Sequence, residues 1–204
     1  MEKLREKAHF LEELASRYVP SIEREKSLRQ LSDYIESQKE AQLVFVCSLN
    51  SRRSVFAQAF MQLAADYLMP GRIRTFSGGN QVTEIYPTVV ETLRDFGFLI
   101  EDVERRASNT VYRVFSLRES FLLFSKKYSD GANPQSHFAA VLVCSTAEKE
   151  CPFVPNADSR ISLPYDDPKN WDNTPEEKEA YRKSAEYIAT EMFWTLAHIK
   201  NPRS

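Results

Sequence analysis

Cys47 and Arg53 stand six positions apart in a polar stretch, Cys47-Ser48-Leu49-Asn50-Ser51-Arg52-Arg53, and Ser54 follows directly. The spacing alone is weak, because a chain with three cysteines meets an arginine at that distance by chance often enough. The setting is stronger. A continuous apolar run, Leu43-Val44-Phe45-Val46, leads into the loop, and an Ala-rich helix opens at Ser54. A buried strand that runs through a tight loop into a helix gathers successive backbone N–H groups, and the positive end of a helix dipole, around one point. A tetrahedral oxyanion fits there. The planar Arg53 fork can clamp two of its oxygens. The same field favours a thiolate at Cys47, and Ser54 is placed to donate to that sulfur and ease its departure.

The other two cysteines are Cys144 and Cys151, with six residues between them. That is not a zinc spacing, and the three histidines are scattered, so no metal or other cofactor is expected. An odd cysteine count in a chain that opens with MEKLREKAHF, charged from residue 2 and without an apolar leader, predicts a reducing, cytoplasmic setting. There, cysteines are redox-active, catalytic or simply small core residues. Lys and Arg total 27 against 29 Asp and Glu, for a net charge of −2, which argues against a nucleic-acid partner. No apolar run is long enough to span a membrane.

These residues need a frame. Residues 1–40 read as two helices broken at Pro20, with apolar stripes Phe10, Leu11, Leu14, Tyr18 and Ile22, Leu28, Leu31, Tyr34, Ile35. They either pack on the main domain or form a dimerisation arm. After the first strand and its helix, which Pro70-Gly71 stops near Leu68, Ile73–Ser77 predicts a second strand ending in Gly78-Gly79. Pro87 at N1 and Gly97 at C′ delimit a helix over Pro87–Phe96. Residues 98–137 alternate poorly, and Val111–Ser116 with Phe121–Phe124 predicts an inserted β-hairpin. Phe138–Val143 is another buried strand running to Cys144, and Ile161–Leu163 a brief fourth. Thr174-Pro175-Glu176-Glu177 predicts a capping box for a last helix reaching about His198. Strands alternating with helices mean an α/β domain with a parallel sheet, whose ligands bind beyond the carboxyl ends of the strands. Cys47 and Cys144 both fall at such ends.

Val44–Ser54 resembles the phosphate-binding loop of the low-molecular-weight protein tyrosine phosphatases and the related thioredoxin-coupled arsenate reductases. Ser77-Gly78-Gly79, then Tyr86-Pro87 and the helix to Gly97, look like that family's second βα unit, and Tyr165-Asp166-Asp167-Pro168 looks like its Asp-Pro loop. The resemblance covers about residues 42–199 apart from 110–136. It implies a flavodoxin-like four-stranded parallel sheet with helices on both faces over residues 41–204, an N-terminal helical extension over 1–40 and an insertion over about 110–136. It also implies Cys47 as nucleophile, Arg53 as clamp, and the N–H groups of Ser48, Leu49, Asn50, Ser51, Arg52 and Arg53 around the anion. Asn50 and Ser54 become internal supports and Asp167 the general acid, with Asp166 the competitor. Leu49 stands where the family usually has Gly. A left-handed backbone there would strain Leu, and the extra charge of Arg52 would compensate in part.

Two chemistries share this loop. A phosphatase forms a phosphocysteine that water hydrolyses. An arsenate reductase passes a disulfide from Cys47 to a second and then a third thiol, which thioredoxin or another dithiol reduces. Val143–Pro152 resembles the redox segment of those reductases, with Cys144 resolving and Cys151 third. Lys169-Asn170-Trp171 follows Asp-Pro in place of a tyrosine pair. The resemblance therefore favours arsenate reduction. Phosphomonoester hydrolysis is the alternative, and a non-catalytic phosphate- or phosphopeptide-binding module the second alternative.

Overall fold

A computed structural model of the protein describes residues 1–105, 108–145 and 154–199. Helices α1 (Glu2–Arg17) and α2 (Ile22–Ser37) lead the chain, and the Ser21 hydroxyl caps α2 by accepting the Arg24 N–H at 3.3 Å. The face that α1 buries is Leu4, Ala8, Leu11 and Ala15. It shares only Leu11 with the expected stripe as a fully buried residue, and Phe10 is 41% exposed. Small alanines on that face allow a close approach to the last helix, which a stripe of larger side chains would not. On α2, Leu28, Leu31, Tyr34 and Ile35 are buried as expected, but Ile22, in the first turn, points away at 84% exposure.

Strand β1 (Ala41–Cys47) runs into the loop and helix α3 (Arg53–Leu68). Then come β2 (Ile73–Gly79) and α4 (Pro87–Asp95), which ends on Gly97 at φ +100°, a conformation that costs glycine no Cβ clash. The region expected to hold a hairpin is a three-stranded antiparallel sheet, β3 (Leu99–Glu104), β4 (Val111–Phe115) and β5 (Ser120–Leu123). The hairpin is its β4–β5 half. β3 went unread because only one of its six residues is buried, which leaves no apolar alternation to see. Strands β6 (Phe138–Leu142) and β7 (Ala157–Ser162) complete the main sheet, and α5 (Glu177–Ala197) closes the chain.

The main sheet has the order β2-β1-β6-β7, with every neighbouring pair parallel. Consecutive residues of β1 and β6 are buried, so both faces of the sheet are covered and the strands read as unbroken apolar runs. Helix α3 is buried along almost its whole length, between the sheet and α5. Helices α1, α2, α3 and α4 all pack on α5. Leu4, Leu11, Leu28 and Leu31 of the leading helices belong to the same apolar cluster as Phe45, Phe56 and Met192.

The capping box does not form. Helix α5 begins at Glu177, and the Thr174 hydroxyl donates instead to the Trp171 carbonyl at 2.8 Å. The Glu177 carboxylate accepts from the Asn173 N–H at 2.6 Å and from the Thr88 hydroxyl. Nearby partners outside the helix outbid its own first turn, as Ser, Thr and Asn readily allow.

Candidate active site

Cys47 is the last residue of β1 and is 3% exposed. Beyond it the chain turns through Ser48–Arg52 into α3. The loop's carbonyls face outward. That of Ser48 accepts from the N–H groups of Asn80 and Gln81, that of Ser51 from Tyr86, and that of Leu49 from the hydroxyls of Ser125, at 2.9 Å, and Thr83. The N–H groups of Leu49, Asn50, Ser51, Arg52 and Arg53 have no acceptor among the described residues. A run of orphan donors at a helix N-terminus is an anion cradle. With Asp167 and Lys169 the loop lines a hollow of about 140 Å³.

Asn50 holds the loop from within. Its φ is +48°, in the left-handed region that Asn tolerates. Its side-chain carbonyl accepts the Lys126 N–H at 3.0 Å, and its amide donates to Ser54 Oγ at 2.9 Å. That oxygen lies 3.1 Å from Cys47 Sγ. At that distance the hydroxyl can donate to a Cys47 thiolate while accepting from Asn50. Leu49 is not left-handed, so the strain anticipated at the usual glycine is absent. Closeness falls on the next strand instead. A Cβ at Gly79 would sit 2.7 Å from Asn50 N and 2.8 Å from the Ser48 carbonyl, and one at Gly78 would sit 2.4 Å from Tyr128 Cα.

Arg53 enters the hollow from the first turn of α3. One terminal nitrogen donates to the Tyr165 carbonyl at 3.0 Å, the other to Asp167, and Nε is buried with no acceptor among the described residues. Asp167 also accepts the Lys169 N–H, which caps a short 3₁₀ turn, Pro168–Trp171. Asp166 and Asp167 both line a neighbouring hollow beside Trp171 and Tyr187, and of the two it is Asp167 that also lines the one with Cys47. The Arg52 guanidinium is taken up elsewhere. It lies 4.2 Å from the Tyr86 ring centroid and donates to Tyr181 and Asp172 at 2.5 Å each. Burial, and then the hydrogen bond that Tyr181 donates to Asp172, hold the Tyr181 proton well above the ordinary phenol range.

Cys144 lies two residues past the end of β6, fully buried, with its sulfur 3.7 Å from Ser48 Oγ. Cys47 and Cys144 are not joined to each other by a disulfide. Cys151, and with it the expected Cys144–Cys151 disulfide, lies outside the described residues.

The sequence reading missed several contributors. Ser125 and Lys126, assigned to the insertion, support the loop from outside. The Lys126 carbonyl accepts from Gly79, and the Tyr128 N–H donates to the Gly79 carbonyl at 2.9 Å. Lys126 is itself buried, and desolvation, only partly opposed by Asp130, pushes its amine down to about 8. Asp172 carries no periodic signal, Tyr86 is named only within the second βα unit, and Tyr181 shares the buried face of α5 with Ala185 and Ile188, which says nothing of its polar partners. Lys169 was noted only for not being aromatic, yet it lines the hollow with Cys47.

No family model and no curated protein matches the sequence. Solved structures do. A mutant of YwlE from Bacillus subtilis superposes with a TM-score of 0.54 at 13% identity, over 79% of this chain and 99% of that one. A low-molecular-weight phosphotyrosine phosphatase from Vibrio cholerae O395 gives 0.50 at 13% identity, over 77% and 94%. An arsenate reductase from Archaeoglobus fulgidus gives 0.50 at 16% identity, over 76% and 99%. With its β2-β1-β6-β7 parallel sheet and the loop that joins β1 to α3, the chain has the fold shared by the low-molecular-weight protein tyrosine phosphatases and arsenate reductases.

Proposed function

We propose that the protein is a thiol-dependent enzyme acting on tetrahedral oxyanions, and that it hydrolyses phosphomonoesters through a phosphocysteine. The observation that carries this reading is the run of unpaired N–H groups from Leu49 to Arg53 curled in front of Cys47, with the buried Arg53 Nε beside it. The phosphate binds on these donors. The Cys47 thiolate attacks phosphorus, and the ester oxygen leaves with a proton from Asp167. Water then cleaves the S–P bond, with Asp167 taking back the proton and Ser54 donating to the departing thiolate. Asp167 must first release Arg53, to which it is bonded here. The bound anion competes for that guanidinium and so frees the carboxyl group for its role.

Arsenate reduction, which the sequence resemblance favoured, is the second reading. It is supported by Cys144, whose sulfur lies beside Ser48 at the end of a strand parallel to β1. A Cys144 thiolate would attack Cys47 sulfur in a Cys47–arsenic adduct. The S–S bond forms as the S–As bond breaks, and its electron pair reduces arsenic(V) to arsenic(III). The resemblance assigns the next exchange to Cys151, with a dithiol such as thioredoxin as final reductant. This reading ranks second because Asp167, the acid that ester cleavage needs, lines the hollow with Cys47.

One comparison tests both. Hydrolysis of p-nitrophenyl phosphate is measured beside arsenate-dependent NADPH oxidation with a thioredoxin system. Hydrolysis abolished by Cys47→Ser and unaffected by Cys144→Ser is the expected result. Asp167→Asn should slow poor leaving groups by roughly 10²–10⁴-fold and activated ones less. Arsenate reduction that needs Cys144 and Cys151, without ester hydrolysis, would replace the first reading by the second. Anion binding with neither activity would leave a binding module.

A further inference from the structure

Helix α2 reaches the loop that carries Asp167 through one arginine. Arg24, in the first turn of α2, is gripped by Glu191 in the middle of α5. Its Nε donates to the two carboxylate oxygens at 2.8 and 3.1 Å, and one terminal nitrogen donates at 2.6 Å. Glu191 is wholly buried, and the Tyr18 hydroxyl donates to it at 2.6 Å. Held in this way, Arg24 turns its other terminal nitrogen to the Pro164 carbonyl at 2.8 Å, and its guanidinium lies over the Tyr165 ring, 4.5 Å from the centroid. The next links are already described: the Tyr165 carbonyl accepts from Arg53, and Arg53 bonds Asp167.

Attachment of the leading helices does not require this arrangement. Leu28, Leu31 and Ile35 already bury an apolar face, and a buried ion pair adds little net stability over apolar contacts of the same shape. What the fork adds is direction. A planar fork with five donors holds a carboxylate on one helix and a loop carbonyl in one fixed geometry.

We propose that Arg24 is a positioning residue that sets the Pro164–Asp167 loop so that Asp167 meets the leaving oxygen, making the N-terminal extension part of the catalytic apparatus; this rests on Asp167 being the general acid. Arg24 touches no reacting atom. Its loss should therefore be felt where proton delivery limits the rate and not where it does not.

The test compares phenyl phosphate, a poor leaving group, with p-nitrophenyl phosphate, an activated one. Arg24→Met with Glu191→Gln removes the fork without stranding a buried charge. The expected result is a loss of roughly tenfold in kcat/KM on phenyl phosphate and less than about twofold on p-nitrophenyl phosphate, because kcat/KM reports the ester-cleaving step, and not the phosphocysteine hydrolysis that both esters share, and small misplacements of a catalytic group are felt there. Placed in an Asp167→Asn background, the same pair of changes should add nothing. If the double variant does not fold, Arg24→Lys makes the same comparison, since one ammonium keeps the charge beside Glu191 but lacks the rigid fork that fixes Glu191 and Pro164 in one geometry. Equal losses on both esters, or a loss that persists without Asp167, would overturn the positioning role while hydrolysis stands. A parent inactive on both esters would instead remove the hydrolytic reading and the proposal with it.

Discussion

At the scale of single residues, the site is a set of donors without acceptors beside a sulfur. Arg53 illustrates how much depends on shape. Its two terminal nitrogens are engaged by Tyr165 and Asp167, while Nε is buried with no acceptor among the described residues. Arg53→Lys keeps the positive charge but loses the fork and the Nε donor. It should still lower kcat/KM on p-nitrophenyl phosphate by roughly 10²-fold or more, the usual loss when a preorganised oxyanion donor is removed. Activity within a few-fold of the parent would mean that charge alone suffices. Asn50, rather than the neighbouring Leu49, takes the left-handed backbone, which explains how the loop does without the glycine usual in the resembling family. Arg52 lends no free charge to the anion, since Tyr86, Tyr181 and Asp172 hold it.

At the scale of elements, the loop is shaped by what presses on it from behind. The end of β2 lies against its backbone, and residues 125–128 close over that end through hydrogen bonds to Gly79 and Asn50. A methyl group on Gly79 would meet backbone atoms of Ser48 and Asn50 that have nowhere to go. Gly79→Ala should therefore displace the N–H cradle and cost roughly 10²-fold in kcat/KM, as sub-ångström to 1 Å misplacements do. Gly131→Ala, at a position with open space around its Cβ direction, should leave the rate unchanged and serves as the control. Isothermal titration with inorganic phosphate gives an independent reading. Equal phosphate affinity in the Gly79 variant and the parent would mean that the loop absorbs the contact.

At the scale of the whole molecule, the leading helices share the central apolar cluster. Leu31 is fully buried although it belongs to the segment that reads as an extension. Leu31→Ala should cost about 2–5 kcal/mol in urea unfolding, the range for a core leucine, with a single cooperative transition. A loss below about 1 kcal/mol would show α2 to be only loosely attached. Lys126 adds a pH dependence to global stability. Its folded value of about 8 lies below its ordinary 10.5, so the folded state gives up the proton first. Below about pH 8 both states are charged and the burial penalty is fully present. As pH rises from about 8 towards 10.5 the unfolded state binds more protons, and stability increases. The penalty relieved is about 3 kcal/mol, at 1.36 kcal/mol for each unit of pKa. Lys126→Met should thus be more stable than the parent near neutral pH, with an advantage that shrinks towards about pH 10 in paired urea titrations. An advantage that stays constant with pH would rule out the buried ammonium as its source.

What the sequence determines by itself is local. The apolar run ahead of Cys47, the polar turn and the helix behind it are consecutive, so their order along the chain already implies a strand, a tight loop and a helix with Cys47 at the strand end. Gly97 and Pro87 mark the limits of α4 for the same reason, since each acts through its own backbone. Tertiary structure decided whatever depends on partners far along the chain. The capping box at Thr174 gave way to Trp171, Asn173 and Thr88, whose nearness no local pattern encodes. β3 exposes most of its side chains and so shows no alternation. The region taken for an insertion supplies the backbone that holds Asn50, and an arginine from the leading helices reaches a loop 140 residues away. Such contacts are made by single donors and acceptors without periodicity, and only tertiary packing brings them within hydrogen-bond distance.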